Sequence, residues 1–179
     1  MALAGLVGAC LLWLAFGAAA AHAASACPSA NARPAQLSKR ALIRATLCVL
    51  NAERARHGLR ALSLDPRLSS AALRHARDMA ERNYFDHTSL DGSSFVDRIR
   101  RAGYLRGARA WALAENIAWG TGGQASPRAI GRAWMQSPGH RANILSASYR
   151  ELGVGVAGGA PVAGVAGGTT YATSFGSRR

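Results

Sequence analysis

Apolar positions recur along the chain at two spacings, and the change from one to the other divides it. From Ser38 onward, Leu42, Ala45, Val49 and Ala52 fall on one helical face, and the run closes near Gly58. A second run, "DPRLSSAALRHARDMAERN" (65–83), sets Leu68, Ala71, Ala72, Ala76, Met79 and Ala80 on one stripe. Asp65 supplies an N-cap, and Pro66 takes the first helical position, where a missing N–H is harmless. The loop "YFDHTSLDGSS" follows, with a turn at Asp91-Gly92, and Ser93 or Ser94 caps a third helix through about Ala102. Ser126-Pro127 opens a fourth helix carrying Ile130, Ala133 and Trp134, and Pro138-Gly139 reads as its stop. The spacing then becomes two. "ELGVGVAGG" alternates Leu152, Val154 and Val156 with small residues, "TTYATSFG" alternates again, and the Gly/Ala-rich stretch between them reads as a hairpin connection. Helices first and strands last give an α+β class, with helices packed on an antiparallel sheet.

Ahead of these elements, residues 1–26 carry no Lys, Arg, Asp or Glu and end in two A-x-A sites, Ala21-His22-Ala23 and Ala24-Ser25-Ala26. That pattern predicts a secretory signal peptide. The apolar run nearly matches a bilayer in length and has no basic residue before it, so an uncleaved anchor is the rival reading. After cleavage no stable membrane span is expected. Residues 27–37 read as a polar arm and 38–179 as one domain.

Export changes the meaning of the cysteines. Cys10 falls within the signal, leaving Cys27 and Cys48 as an even pair in an oxidising compartment, so a disulfide between them is expected. A lipid-anchored Cys27 is disfavoured because Ala24-Ser25-Ala26 lacks a large aliphatic residue. The net charge is +13, with Lys39 the only lysine among 22 basic residues. Such a field favours anionic partners, which outside a cell are wall polymers or lipid headgroups, and a solvated basic surface without a partner is the alternative reading. No basic, aromatic-rich nucleic-acid module is present, so nucleic acid is not an expected partner.

Three residues stand out chemically: His87 in "YFDHTS", Glu115 in "AENIAWG" and His140 in "SPGHRANIL". Two imidazoles and a carboxylate suit Zn2+ or another divalent cation, and the same set suits acid–base work without metal. Their spacing does not by itself bring them together, and no H-E-x-x-H pair is present. His75 lies on the apolar stripe of the second helix and reads as a core histidine. The nucleophile-elbow pattern G-x-S-x-G is absent.

The succession "LCVLNAERARHGLRAL", "DPRLSSAALRHARDMAERNYFDHTS", "AENIAWG", "AWMQSPGHRANIL", "ELGVGVA" and "YATSFG" resembles the bacterial branch of the CAP superfamily, whose unit is the SCP domain. The resemblance implies an α-β-α sandwich with a small three-stranded antiparallel sheet, its strands near 116–119, 151–157 and 170–175. It also implies a cleft shared by His87, Glu115 and His140. Many members carry a second glutamate after the tryptophan of the fourth helix; here the run is Trp134-Met135-Gln136-Ser137, so any metal would be weakly held. The expected function is a secreted, extracellular or wall-associated binding module for lipid, sterol, an anionic wall polymer or a divalent ion. The alternative is a metal-dependent hydrolase or protease using His87, His140 and Glu115.

Overall fold

Side-chain caps set where the helices begin in a computed structural model that describes residues 27–179. The Ser38 hydroxyl accepts from Ala41 N–H, and α1 runs Lys39–Arg56. Asp65 accepts from the N–H groups of Arg67 and Leu68 and starts α2 (Pro66–Arg82). Ser94 and Asp97 form a reciprocal capping box at α3 (Phe95–Arg101). Ser126 caps α4 (Pro127–Gln136) through Ala129 N–H. These four starts agree with the sequence expectation. The expected signal peptide lies outside the described residues, among which no helix is long and apolar enough to cross a membrane.

Cys27 and Cys48 form the expected disulfide, with Cα atoms 5.6 Å apart, and Cys27 and Ala30 pack on Val49 of α1. The N-terminal arm is thereby fastened to the first helix. In the chain-entropy account a loop of this size contributes about 3 kcal/mol.

Four strands make the sheet: β1 (Ser63–Leu64), β2 (Trp111–Thr121), β3 (Glu151–Gly158) and β4 (Gly168–Arg178), in spatial order β1-β3-β4-β2. β3 and β4 are a hairpin, and β2 pairs antiparallel with β4 from Trp111 opposite Arg178 to Thr121 opposite Gly168. Two expectations need correction here. The sheet has a fourth strand, because β1 adds parallel to β3 at Ser63↔Glu151 and Leu64↔Leu152. The central-sequence strand is also longer than expected and precedes two helices, since β4 supplies partners along its whole length.

A third correction concerns "SPGHRANIL". Pro138 does not stop the chain's helical course; it occupies the first position of a new helix, α5 (Pro138–Leu145), after an extended break at Ser137. His140 therefore sits in the first turn of a helix.

Helices cover both faces, as an α-β-α sandwich requires. On one face Leu42 and Leu50 of α1, Ile130 and Trp134 of α4 and Ile144 of α5 bury Val154, Val156, Tyr171 and Phe175. On the other, Ala72, Ala76 and Met79 of α2 pack on Ile117, Ala157 and Ala172. The small residues between the valines explain how α2 fits: a Cβ on Gly153 would lie 2.1 Å from the Leu68 carbonyl carbon, and one on Gly155 would lie 2.2 Å from that of Ala72. Glycine lets the helix backbone rest directly on the strand. Asn51 and Arg54 fasten α1 to its following loop, and Arg54 reaches further to the carbonyls of Ile144 and Ser146.

Candidate functional site

The three residues expected to share a cleft gather at the free edge of β2. Glu115 lies within that strand on the α2 side of the sheet, opposite Ser174, with its side chain only 2% exposed. His87 comes from the α2–α3 loop and donates from Nδ1 to Glu115 Oε1 at 3.0 Å. A carboxylate only accepts, so this contact places the proton on Nδ1 and leaves Nε2 as the acceptor nitrogen. His140 arrives on α5. Its backbone carbonyl accepts from Asn116, and Asn143 one turn on donates to the Glu115 carbonyl and to Asn116 Oδ1. Burial first, and the neighbouring His87 second, hold the His140 pKa below the ordinary histidine value. The sequence-predicted trio is thus assembled around one edge strand, with His87 half exposed and His140 half-buried.

A fourth residue changes what the trio can do. Arg98 of α3 reaches Glu115 with one nitrogen, 2.8 Å from Oε1 and 2.9 Å from Oε2. The same guanidinium donates to the His87 carbonyl at 2.9 Å, to Ser89 Oγ and to the Ser93 carbonyl. It therefore neutralises the buried carboxylate and cross-links the whole His87–Ser93 loop. Sequence reading missed it: on a seven-residue helix with three arginines, nothing local separates Arg98 from Arg100 or Arg101.

The donor set does not fit a three-ligand metal centre. Both Glu115 oxygens lie within hydrogen-bond distance of the Arg98 cation. Among the described residues, no group of three His, Cys, Asp or Glu side chains is arranged to hold a metal ion.

His75 is the core histidine its position on the stripe suggested. It is fully buried, donates from Nε2 to the Asp86 carbonyl at 2.9 Å, and leaves Nδ1 without a hydrogen-bond partner among the described residues. Burial pushes its pKa down, opposed by Glu115 and reinforced by Arg98. His75 and His140 thus share a direction: each binds a proton less readily folded than unfolded. The unfolded chain takes up protons first as pH falls below about 6.5, so stability is lost from there downward and is unaffected above it. The expected result is a melting temperature that is level above neutral pH and declines into the acid range. A His75→Gln variant should decline less steeply; an equal slope would remove His75 as a cause.

A concavity lies at the opposite edge of the sheet. Beyond β1, the edge of β3 is open and flanked by α1 on one face and α2 on the other. There Ile43, Leu64, Pro66, Leu73, Val154 and Val156 line an apolar groove of about 490 Å3, with Lys39 also in its wall. Its hydroxyls are engaged: Ser69 donates to the Asp65 carbonyl and accepts from Val154 N–H, and Ser70 accepts from Arg74. Trp134 is buried with its indole N–H donating to the Ile117 carbonyl. Trp111 is 47% exposed.

An α-β-α sandwich of this topology, with two histidines and a buried glutamate at one sheet edge, fits the SCP domain. The chain belongs to the cysteine-rich secretory protein (CAP) family, whose model matches residues 47–168. A solved extracellular protein containing an SCP domain from Bacillus anthracis shares 27% identity and a TM-score of 0.59, over 78% of this chain and 43% of its own. An outer surface protein of Borrelia burgdorferi, at 20% identity, has the same fold with a TM-score of 0.59 over 73% of this chain and 87% of its own. The Bacillus subtilis protein YkwD, described as uncharacterized, is 40% identical over 105 residues, which is 59% of this chain and 38% of YkwD. YlbC of the same organism, described as an uncharacterized membrane protein, is 37% identical over 110 residues, 62% of this chain and 30% of its own. The chain thus matches well under half the length of these two relatives.

Proposed function

We propose that this chain is an extracellular binding module that holds the aliphatic chain of an amphiphile in the groove beside β3. The observation that carries the reading is the groove's chemistry. Its size lies within the roughly 300–1,000 Å3 of small-molecule sites. Its lining is apolar and its hydroxyls are already hydrogen-bonded, so burying a hydrocarbon there strands no polar group. Val154 N–H is taken by Ser69, which argues for a hydrocarbon rather than a peptide strand at this edge. Lys39, in the wall at the first position of α1, suits an anionic head. The charge-neutralised knot at Glu115 is read as a strut holding the His87 loop, α3 and β2 together rather than as a metal centre. Extracellular placement is the reading that the relatives of the family support.

The test is titration with a fluorescent long-chain fatty acid. Saturable binding is expected. Leu73→Glu, on the half-buried wall of α2, should weaken it at least tenfold without changing the melting temperature appreciably. Lys39→Gln should weaken the acid but leave the matching alcohol unchanged. Absence of saturable binding, or equal affinity in Leu73→Glu, would refute the reading.

A further inference from the structure

Two clefts adjoin where β4 finishes, about 480 and 410 Å3 in volume. Arg150, Ser177, Arg178 and Arg179 form a wall common to both; Arg106 lines the first and Trp111 the second. The one acid among the lining residues, Glu151, is already committed: it accepts from the Tyr104 hydroxyl and lies 4.0 Å from Arg178 Nε. Arg178 itself lies over the Tyr104 ring, 4.9 Å from its centre. Arg106, Arg150 and Arg179 are exposed, and none pairs with a carboxylate among the described residues. Arg150 uses a single nitrogen, Nη1, on the Ala147 and Tyr149 carbonyls. Backbone bonds between Arg179 and both Arg109 and Ala110 fix the wall to the start of β2, so these cations are displayed by a sheet end.

We infer that this paired cleft binds a polymer of repeating anionic units, one anion in each cleft, with Trp111 packed against the uncharged segment between them. Guanidinium forks match phosphate and carboxylate oxygens, and two adjoining subsites favour linked anions over a free one through effective concentration. A flexible phosphodiester-linked polyol has the required chemistry: regularly spaced single charges joined by short uncharged spacers. The site is on the other side of β1 from the apolar groove. Its ligand and its test are independent of the fatty-acid reading.

The experiment is fluorescence anisotropy with an end-labelled oligomer of glycerol phosphate, at low and at physiological salt. The oligomer should bind with an affinity that falls as salt rises. Glycerol 3-phosphate should compete at least tenfold more weakly. The triple variant Arg106→Gln/Arg150→Gln/Arg179→Gln should lose at least tenfold in affinity. A control with the same charge loss elsewhere, Arg40→Gln/Arg44→Gln/Arg132→Gln, should bind nearly as the parent does. Trp111→Ala should weaken binding several-fold and leave the salt dependence unchanged. Equal losses in the two triple variants would show attraction to net charge alone and overturn the proposal. Monomer binding as tightly as the oligomer would overturn it too. So would vesicles of phosphatidylglycerol binding more tightly than the oligomer through the same three arginines, which would make the face a membrane contact.

Discussion

Replacing Arg98 by methionine should lower the unfolding free energy by about 3–5 kcal/mol, the usual cost of leaving one member of a buried ion pair alone. Glu115 is 2% exposed and Arg98 7% exposed, so water cannot take over the lost contact without reorganising the site. The loss extends beyond the pair, because the Ser93 and His87 carbonyls lose their donor as well. In the double variant Arg98→Met/Glu115→Leu the cost should be less than the sum of the two single costs, since no buried charge remains unpaired. Urea denaturation of the four proteins measures this coupling. A single variant as stable as the parent, or strictly additive costs, would contradict the strut assigned to Glu115 and Arg98.

The second large effect is expected at Gly155. A Cβ there would lie 2.2 Å from the Ala72 carbonyl carbon and also 2.2 Å from Leu73 N, both backbone atoms of α2 that no rotamer change can move aside. Gly155→Val should therefore push α2 off the sheet and cost about 3 kcal/mol or more, the upper end of overpacking penalties. Gly158→Ala, three residues on in the same strand with nothing within 4 Å of the added methyl, should stay within about 0.5 kcal/mol of the parent. Thermal or urea melts decide it. Similar stabilities for the two variants would mean that the helix does not bear directly on β3.

The contrast between these two sites shows which parts of the structure the sequence carries in readable form. Helix starts were legible because each is a local event: Ser38, Asp65, Ser94 and Ser126 bond to backbone N–H groups two or three residues ahead. The alternation in β3 was legible because one face carries valines and the other only small residues, with glycine required at Gly153 and Gly155. β1 has two residues and no pattern of its own; its existence depends on Glu151 and Leu152 far along the chain. The full length of β2 was hidden for a related reason, since Ala114 through Ile117 are buried on both faces and lose the period-two signal. Pro138 was ambiguous in principle, because proline both ends a helix and begins one. His87, Glu115 and His140 were singled out by residue type and by resemblance, and the fold does bring them to one edge. Arg98 was invisible because its role comes from tertiary placement against Glu115, seventeen residues away and across the α3–β2 connection.

The two edges of the sheet therefore divide the chemistry: a charge-locked histidine–glutamate cluster at β2 and an apolar groove at β3. Methyl and imidazole NMR during titration with a long-chain fatty acid tests that division most directly. The account predicts saturable shifts at the methyl groups of Ile43, Leu64, Leu73, Val154 and Val156, while the ring protons of His87 and His140 stay in place. Shifts concentrated at the two imidazoles, with the groove methyls unmoved, would contradict it.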